Sequence, residues 1–201
     1  MAMPESRFRP EDDVATSGGS SGARVIALAN QKGGVAKTTT TVNLAAALQE
    51  LGERVLVVDL DPQGNLTMSQ GLDPDTIERS MFDVLVRSLP IEEIIEKVEL
   101  HVAVSSIDLA GAELALASMI GRERTLEKAL APARASYDYI LIDTPPSLGL
   151  LTVNALSAAD SLLVPLQCEF FALEGLSQLL QTVERVQQGI NPSLKIIGVT
   201  L

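Results

Sequence analysis

Residues 30–39, with the sequence NQKGGVAKTT, restrict the fold of this chain more than any other segment. An apolar run at 25–29 precedes them and is typical of a short buried strand, and apolar residues at helical spacing follow them as far as Leu51. Glycine N–H groups at the point where a strand gives way to a helix N-terminus bind phosphate oxygens. The segment therefore predicts a phosphate loop, in which Lys37 reaches the β- and γ-phosphates and the Thr38 hydroxyl binds Mg²⁺.

The loop departs from the usual pattern G-x-x-x-x-G-K-[ST] at both glycine positions, where this chain has Gln31 and Ala36. A surface turn that happens to contain two lysines is the alternative interpretation. The strand before the segment, the helix after it and the aspartates that end two strands favour the phosphate loop. The residues predicted to contact the nucleotide are Lys32, Gly33, Gly34, Val35, Ala36, Lys37, Thr38 and Thr39.

Short apolar runs alternate with helical patterns from residue 24 onward, as in a parallel sheet covered by helices. Two of these runs, 55–58 and 139–142, are followed directly by Asp59 and Asp143. Aromatic residues make up only 3% of the chain and tryptophan is absent, so Ala, Val, Leu and Ile must build the core. We predict an α/β fold, a three-layer P-loop NTPase with a mostly parallel sheet flanked by helices.

The chain divides into a tail and one domain. Residues 1–23 mix charged residues, proline, serine and glycine without apolar periodicity, which predicts a disordered tail. Residues 24–201 form the predicted domain. Its last strand, 195–201, lacks the return helix that would cover the sheet, so we expect a domain truncated at the C-terminus. Further predicted elements are helices at 91–98, 109–120, 126–131 and 173–189 and strands at 101–104 and 162–164.

Composition and charge limit the classes of function. Lys and Arg number 15 against 26 Asp and Glu, and the net charge of −11 opposes DNA binding driven by bulk positive charge. No apolar run approaches the roughly 20 residues that span a bilayer, so stable membrane insertion is not expected. The single Cys168 can form neither an internal disulfide nor a thiolate cluster, and no secretory leader pattern opens the chain, which favours the cytoplasm. We interpret Cys168, His101, Tyr137 and Tyr139 as structural residues.

Residues 32–39, KGGVAKTT, resemble the deviant Walker A motif of the ParA/MinD ATPases, whose additional lysine corresponds to Lys32. Alanine at position 36 occurs as a variant in this family's loop. The resemblance extends from about residue 24 to the end of the chain and implies an ATPase that uses ATP and Mg²⁺. Four later segments resemble ParA-type chromosome and plasmid partition ATPases: DLDPQGN at 59–65, IDLAGAEL at 107–114, DTPPS at 143–147 and LEGL at 173–176.

Hydrolysis needs neutralised charge on the transferred phosphoryl group and a water held in line with it. We expect Lys37 and Mg²⁺ to neutralise the charge. Asp143, at the end of an apolar strand, is the predicted Walker B carboxylate that shares Mg²⁺ with Thr38, through a water because this ion loses its hydration shell reluctantly. Spacing alone leaves both Asp59 and Asp61 as candidates for the residue that orients the attacking water, and the resemblance favours Asp61 as the catalytic one.

The resemblance also implies a cycle of association. Lys32 crosses a dimer interface to the partner's nucleotide, so that ATP joins two copies in a homodimer and ADP releases them. The dimer binds DNA without sequence preference, and a ParB-type centromere-binding partner resets it by stimulating hydrolysis. Such a protein is cytoplasmic and associates with the nucleoid when ATP is bound. The family's DNA-contacting basic residues lie largely in a C-terminal part that this chain lacks.

Two alternative functions remain open. A MinD-like membrane-cycling ATPase would carry a C-terminal amphipathic helix rich in lysine and apolar residues, whereas the segments at 59–65 and 173–176 resemble the partition branch. A nucleotide-binding fragment without turnover is the other alternative, and the missing return helix supports it. An iron–sulfur relative would need paired cysteines, and Cys168 is alone in the sequence.

Overall fold

The computed structural model describes residues 22–167 and 172–200. These residues form a single sheet of seven strands, with helices packed on both of its faces. The strands are β1 (Arg24–Leu28), β2 (Val55–Asp59), β3 (Ile95–Lys97), β4 (His101–Ala103), β5 (Tyr139–Asp143), β6 (Ser161–Pro165) and β7 (Lys195–Thr200).

The sheet is parallel except at one edge. Its strand order is β3-β4-β2-β5-β1-β6-β7, and among the described strands only β3 runs antiparallel to its neighbour. Apolar runs without alternation are expected of strands that helices cover on both sides, and all five residues of β2 are buried. The predicted α/β fold with a mostly parallel sheet is confirmed.

Seven α-helices connect the strands within the described part of the chain. None of them is both long and apolar enough to cross a bilayer. The helices are α1 (Lys37–Glu50), α2 (Asn65–Ser69), α3 (Met81–Arg87), α4 (Ala112–Ala117), α5 (Thr125–Leu130), α6 (Leu150–Ala158) and α7 (Ala172–Gly189). Short 3-10 helices cover Ile91–Ile94, Ile107–Gly111, Arg122–Arg124 and Ala133–Ala135.

The sheet is the middle of three layers. The connection from β1 to β2 passes across β5, and the connection from β5 to β6 passes across β1 in the opposite direction. Because such parallel crossovers are nearly always right-handed, α1 and α6 lie on opposite faces of the sheet. Their contacts agree with this arrangement, since α1 packs on β2, β5 and α2 while α6 packs with α4, α5 and α7.

Two helices predicted in the middle of the chain are wrong in part. In the predicted helix 91–98, only Ile91–Ile94 is helical, and Ile95–Lys97 forms strand β3, because pairing with β4 satisfies its backbone groups. The predicted helix 109–120 is shorter, since α4 covers only Ala112–Ala117. Ile120, the last residue of the predicted helix, is fully exposed, and the left-handed Gly121 follows it.

Helix α6 carries no signal in the sequence analysis. Seven of its nine residues are buried, so it has no polar face and shows no helical periodicity. Asn154 is one of three buried polar residues inside it. The Asn154 side chain accepts the N–H groups of Thr125 and Leu126 at 3.1 Å each, and it donates to the Arg122 carbonyl oxygen at 2.8 Å. One buried amide thus caps the first turn of α5 from a neighbouring helix.

The tail predicted for residues 1–23 lies outside the described residues as far as residue 21 and stays a prediction there. Ala23 is buried, and its N–H donates to the Arg134 carbonyl oxygen at 2.7 Å, so this residue packs with the domain.

His101 and Tyr137 contact each other in a packing role. His101 Nδ1 lies 3.0 Å from the Tyr137 hydroxyl, and the two rings meet edge to face. Burial lowers the pKa of the His101 imidazole, which keeps the ring neutral near pH 7. This contact agrees with the structural interpretation of both residues, whereas Cys168 lies outside the described residues.

Candidate functional site

Three loops meet at the carboxyl edge of the sheet because adjacent parallel strands end there together. Strand β5 lies between β1 and β2, and its last residue, Asp143, is the register partner of both Leu28 and Asp59. The predicted phosphate loop follows β1 at the same edge, and Asp61 follows β2. The topology therefore brings together residues that stand far apart in the sequence.

The phosphate loop turns sharply where it enters α1. Gly34 and Ala36 both have left-handed backbone, with φ of +72° and +60°. This conformation is free for glycine and costs alanine about 1–2 kcal/mol, which explains the glycine that the usual pattern has at the position of Ala36. The Ala36 carbonyl oxygen accepts the Thr40 N–H at 2.8 Å and so opens the helix.

Two polar side chains that the sequence does not single out hold the phosphate loop in place. The buried Asn30 side chain donates to the Pro165 carbonyl oxygen at 2.7 Å and accepts the Lys32 N–H at 3.0 Å. Gln167 donates through Nε2 to the Gly34 carbonyl oxygen at 2.8 Å. The segment after β6 therefore supports the loop. The sequence gives one indication of this support, namely that β6 is a strand that ends at the same edge of the sheet as β1.

Lys37, Thr38 and Asp143 form a compact group at the start of α1. The Thr38 hydroxyl donates to Asp143 Oδ2 at 2.6 Å, and Asp143 Oδ1 is buried with no hydrogen-bond partner among the described residues. Burial raises the pKa of the Asp143 carboxyl to about 7, although the Thr38 hydrogen bond opposes the shift. Burial lowers the pKa of Lys37, whose ammonium is near the charges of Asp143 and Asp61.

An unpartnered buried oxygen beside a hydroxyl fits a cation. Mg²⁺ at phosphate sites takes one or two protein ligands and completes its shell with water and phosphate oxygens. Asp143 and Thr38 offer such a pair. A dedicated protein cage is not found, since no group of three or more His, Cys, Asp or Glu residues within 22–167 and 172–200 could hold a metal ion.

Asp59 and Asp61 differ in what they contact. The Asp59 carboxylate is fully buried and accepts three hydrogen bonds, from the Thr67 N–H and hydroxyl and from the Asp61 N–H. The Asp61 carboxylate accepts only the Gln63 N–H among the described residues, at 3.0 Å, and burial raises the pKa of this carboxyl against the opposing effect of the Lys37 charge. Asp61 therefore has oxygen lone pairs left for a ligand, whereas Asp59 is engaged in the fold.

The other predicted nucleotide contacts differ in exposure. The Lys32 carbonyl oxygen lies 3.5 Å from Lys37 Nζ, and Lys32 itself is half-buried. The Val35 side chain is buried, so only its backbone remains available to a nucleotide. The exposed residues of the set are Gly33, Gly34, Ala36 and Thr39.

Comparison with known proteins identifies the family. A family described as an AAA domain matches residues 23–196. The chromosome partitioning protein ParA of Myxococcus xanthus is 52% identical over 181 residues, which are 89% of this chain and 64% of that protein. The sporulation initiation inhibitor protein Soj of Bacillus subtilis is also 52% identical, over 89% of this chain and 72% of that protein. This chain belongs to the ParA/Soj family of P-loop ATPases. It spans less than two thirds of the ParA relative's length.

Solved structures share the fold. The cobyrinic acid a,c-diamide synthase of Mycobacterium smegmatis with bound ADP and magnesium is 50% identical with a TM-score of 0.86, over 88% of this chain and 73% of that one. The apo McdA of Cyanothece is 26% identical with a TM-score of 0.82, over 88% and 71%. A putative plasmid partition protein of Borrelia burgdorferi bound to AMPPNP is 25% identical with a TM-score of 0.73, over 88% and 76%. The P-loop NTPase fold is confirmed, and the nucleotide and magnesium named for these proteins match the predicted cofactors.

The loop after β2 depends on Gly64, whose φ is +63° and whose missing Cβ would lie 2.6 Å from Pro74 Cγ. We predict that Gly64→Ala lowers the free energy of unfolding by about 2–4 kcal/mol, through left-handed strain and overlap with the proline. Gly71→Ala is the matched control, since its φ is +78° and nothing lies within 4 Å of the added Cβ. Chemical denaturation of both variants measures the difference, and equal losses would contradict the role of the Pro74 contact.

Proposed function

We propose that this chain is the nucleotide-binding part of a ParA-type partition ATPase, which binds ATP with Mg²⁺ and hydrolyses it to ADP and phosphate. The group formed by Lys37, Thr38 and Asp143 is the observation that carries the proposal. Lys37 brings a buried positive charge to the phosphate loop, and the other two side chains offer oxygen ligands. The unpartnered Asp143 Oδ1 is the atom that a hydrated cation would satisfy.

Each residue of the site then has a task in phosphoryl transfer. Thr38 would bind Mg²⁺ directly and Asp143 would hold it through a water, and the ion would supply charge neutralisation on the β- and γ-phosphates. Lys37 stabilises the oxygens of the transferred group, and its burial strengthens this interaction because the local dielectric is low. The loop N–H groups of residues 33–36 and the exposed Thr39 lie where the phosphates enter.

Asp61 is proposed to orient the attacking water. Its carboxylate lies close enough to Lys37 for each charge to shift the pKa of the other group, which supports a position near the phosphate loop. Asp59 is unsuited to the same task because its two oxygens are occupied by three hydrogen bonds. The contacts thus support the choice that the family resemblance favoured.

The association cycle follows from the second lysine of the loop. We propose that Lys32 of one copy contacts the nucleotide of the other, so that ATP joins a homodimer and hydrolysis releases it. The dimer would bind DNA without sequence preference, and a ParB-type partner would stimulate hydrolysis. These finer steps are proposed from the partition relatives, and with them a cytoplasmic protein that associates with the nucleoid when ATP is bound. The two 52% identical relatives, ParA and Soj, favour this assignment over the synthase named for the Mycobacterium structure.

We predict that Asp61→Ala binds ATP with unchanged affinity and loses turnover by about 100-fold or more, because a positioned group that acts in the transition state is removed. Nucleotide titration and phosphate release measure the two effects. Asp75→Ala, which removes an exposed aspartate from the following loop, is the control and should match the wild type. Wild-type turnover in Asp61→Ala would refute the assignment.

We predict that Lys32→Ala binds ATP but stays a monomer, because the contact that joins two copies across the nucleotide is lost. Light scattering after gel filtration, with ATP and Mg²⁺ and with Asp61→Ala to prevent hydrolysis, gives the mass. Lys97→Ala on edge strand β3 is the control, since it removes an exposed positive charge far from the loop. A dimer mass for Lys32→Ala would exclude the proposed crossing.

The output of the ATP-bound state separates the partition function from its alternatives. With Asp61→Ala, ATP and Mg²⁺, we expect the protein to sediment with mixed-sequence duplex DNA and not with anionic vesicles. Omitting ATP is the control and should abolish sedimentation. Sedimentation with vesicles would instead support the MinD-like cycle. Sedimentation with neither would mean that this chain binds nucleotide without an output surface of its own.

A further inference from the structure

A closed ring of four buried residues lies behind the loop that carries Asp61. Asp59 Oδ2 accepts the Thr67 hydroxyl at 2.7 Å, and the same hydroxyl oxygen accepts the Ser105 N–H at 3.0 Å. The Ser105 hydroxyl donates to the Asp61 carbonyl oxygen at 2.8 Å, and the Asp61 N–H donates to Asp59 Oδ1 at 3.2 Å. Asp59, Thr67 and Ser105 are completely buried.

The ring joins three separate segments of the chain. Asp59 ends β2, Thr67 lies in α2, and Ser105 follows β4. The Asp61 backbone is therefore held on both sides, through its N–H by Asp59 and through its carbonyl oxygen by Ser105. The side chains of Asp59, Thr67 and Ser105 all form hydrogen bonds within the ring, and satisfied buried networks specify one arrangement of the backbone.

This arrangement matters because catalysis depends on position. A displacement of about 1 Å of a reacting or orienting group can lower a rate by about 100-fold. The loop itself has few internal restraints, since Pro62 has no N–H and the left-handed Gly64 follows. Its own hydrogen bonds are short-range turns, from the N–H groups of Gln63 and Gly64 back to Asp61.

We propose that Thr67 and Ser105 are positioning residues for ATP hydrolysis, which hold the backbone of Asp61 and so fix where its carboxylate meets the attacking water. The proposal rests on the proposed function of Asp61. In this proposal Asp59 is the anchor, because its carboxylate accepts both the Thr67 groups and the Asp61 N–H. Neither Thr67 nor Ser105 touches the nucleotide in this mechanism, so their loss changes turnover and leaves ATP affinity unchanged.

The neighbouring serine provides a matched control. Ser106 is also buried, but its hydroxyl forms a hydrogen bond of 2.7 Å with the hydroxyl of Ser80 at the start of α3 and not with the loop that carries Asp61. Ser105→Ala and Ser106→Ala change neighbouring residues, and each variant removes one buried hydroxyl. We therefore expect similar losses of thermal stability. Only Ser105→Ala is expected to lower kcat, by about 10- to 100-fold, with an unchanged ATP dissociation constant.

Thr67 allows a test by conservative rescue. Thr67→Val keeps the shape and removes the hydroxyl, and we expect it to lower kcat as Ser105→Ala does. Thr67→Ser keeps the hydroxyl, so turnover should return close to the wild-type rate. In the Asp61→Ala background, Ser105→Ala should cause no further loss of turnover, because residues that act through one group are not additive.

Hydrogen exchange gives a readout that does not need turnover. The amides of residues 61, 63 and 64 should exchange faster in Ser105→Ala than in Ser106→Ala at matched global stability. This proposal would be overturned if Ser105→Ala and Thr67→Val both had wild-type kcat and wild-type exchange rates in the loop while Asp61→Ala was inactive. That result would leave the proposed function of Asp61 intact. Wild-type turnover in Asp61→Ala would instead overturn the proposed function. If Thr67→Val does not fold, Ser105→Ala and the exchange rates still decide.

Discussion

The register of β5 between β1 and β2 is the constraint on which the rest of the structure depends. It sets Asp143 opposite both Leu28 and Asp59 and so brings the phosphate loop to the carboxylates. A shift by one residue would turn the side chains of a strand to the other face. Apolar strands that are buried on both faces cannot define their register by alternation. A polar pair at the amino edge of the sheet helps to define the register of β5 against β2. Asp138 lies just before β5, and it accepts the backbone and guanidinium N–H groups of Arg54, which lies just before β2.

How far the sequence predicts this molecule depends on whether a signal is local. The central strands and the phosphate loop carry their own patterns, so their positions are confirmed. Strand β3 does not, because the spacing of Ile91, Ile94 and Ile95 is helical and only pairing with β4 decides the backbone. Helix α6 is hidden for the opposite reason, since burial on nearly all sides removes its polar face. The spacing of Asp59 and Asp61 at the end of β2 does not show which of the two is catalytic either, because they differ in their contacts, and Asp59 contacts Thr67, eight residues further along the chain.

The site violates the rules that stabilise the remainder of the fold. Burial raises the pKa of Asp59 to about 6 and that of Asp143 to about 7, which means that ionised carboxylates at this edge destabilise the folded state at neutral pH. Burial of Lys37 acts against its charge in the same way. A protein tolerates such groups where a ligand compensates for them. Binding of a cation and an anion together would therefore stabilise this fold more than either alone.

The short antiparallel strand β3 constrains how copies of the chain can meet. Glu96 and Lys97 are exposed on it, and a three-residue edge with charged side chains is a poor template for a further strand. Growth of the sheet from this side into a neighbouring molecule is therefore disfavoured, and so is fibrous aggregation through this edge. Strand-to-strand pairing of two copies is therefore unfavourable at this edge, and association through the loops at the ends of the strands does not compete with it.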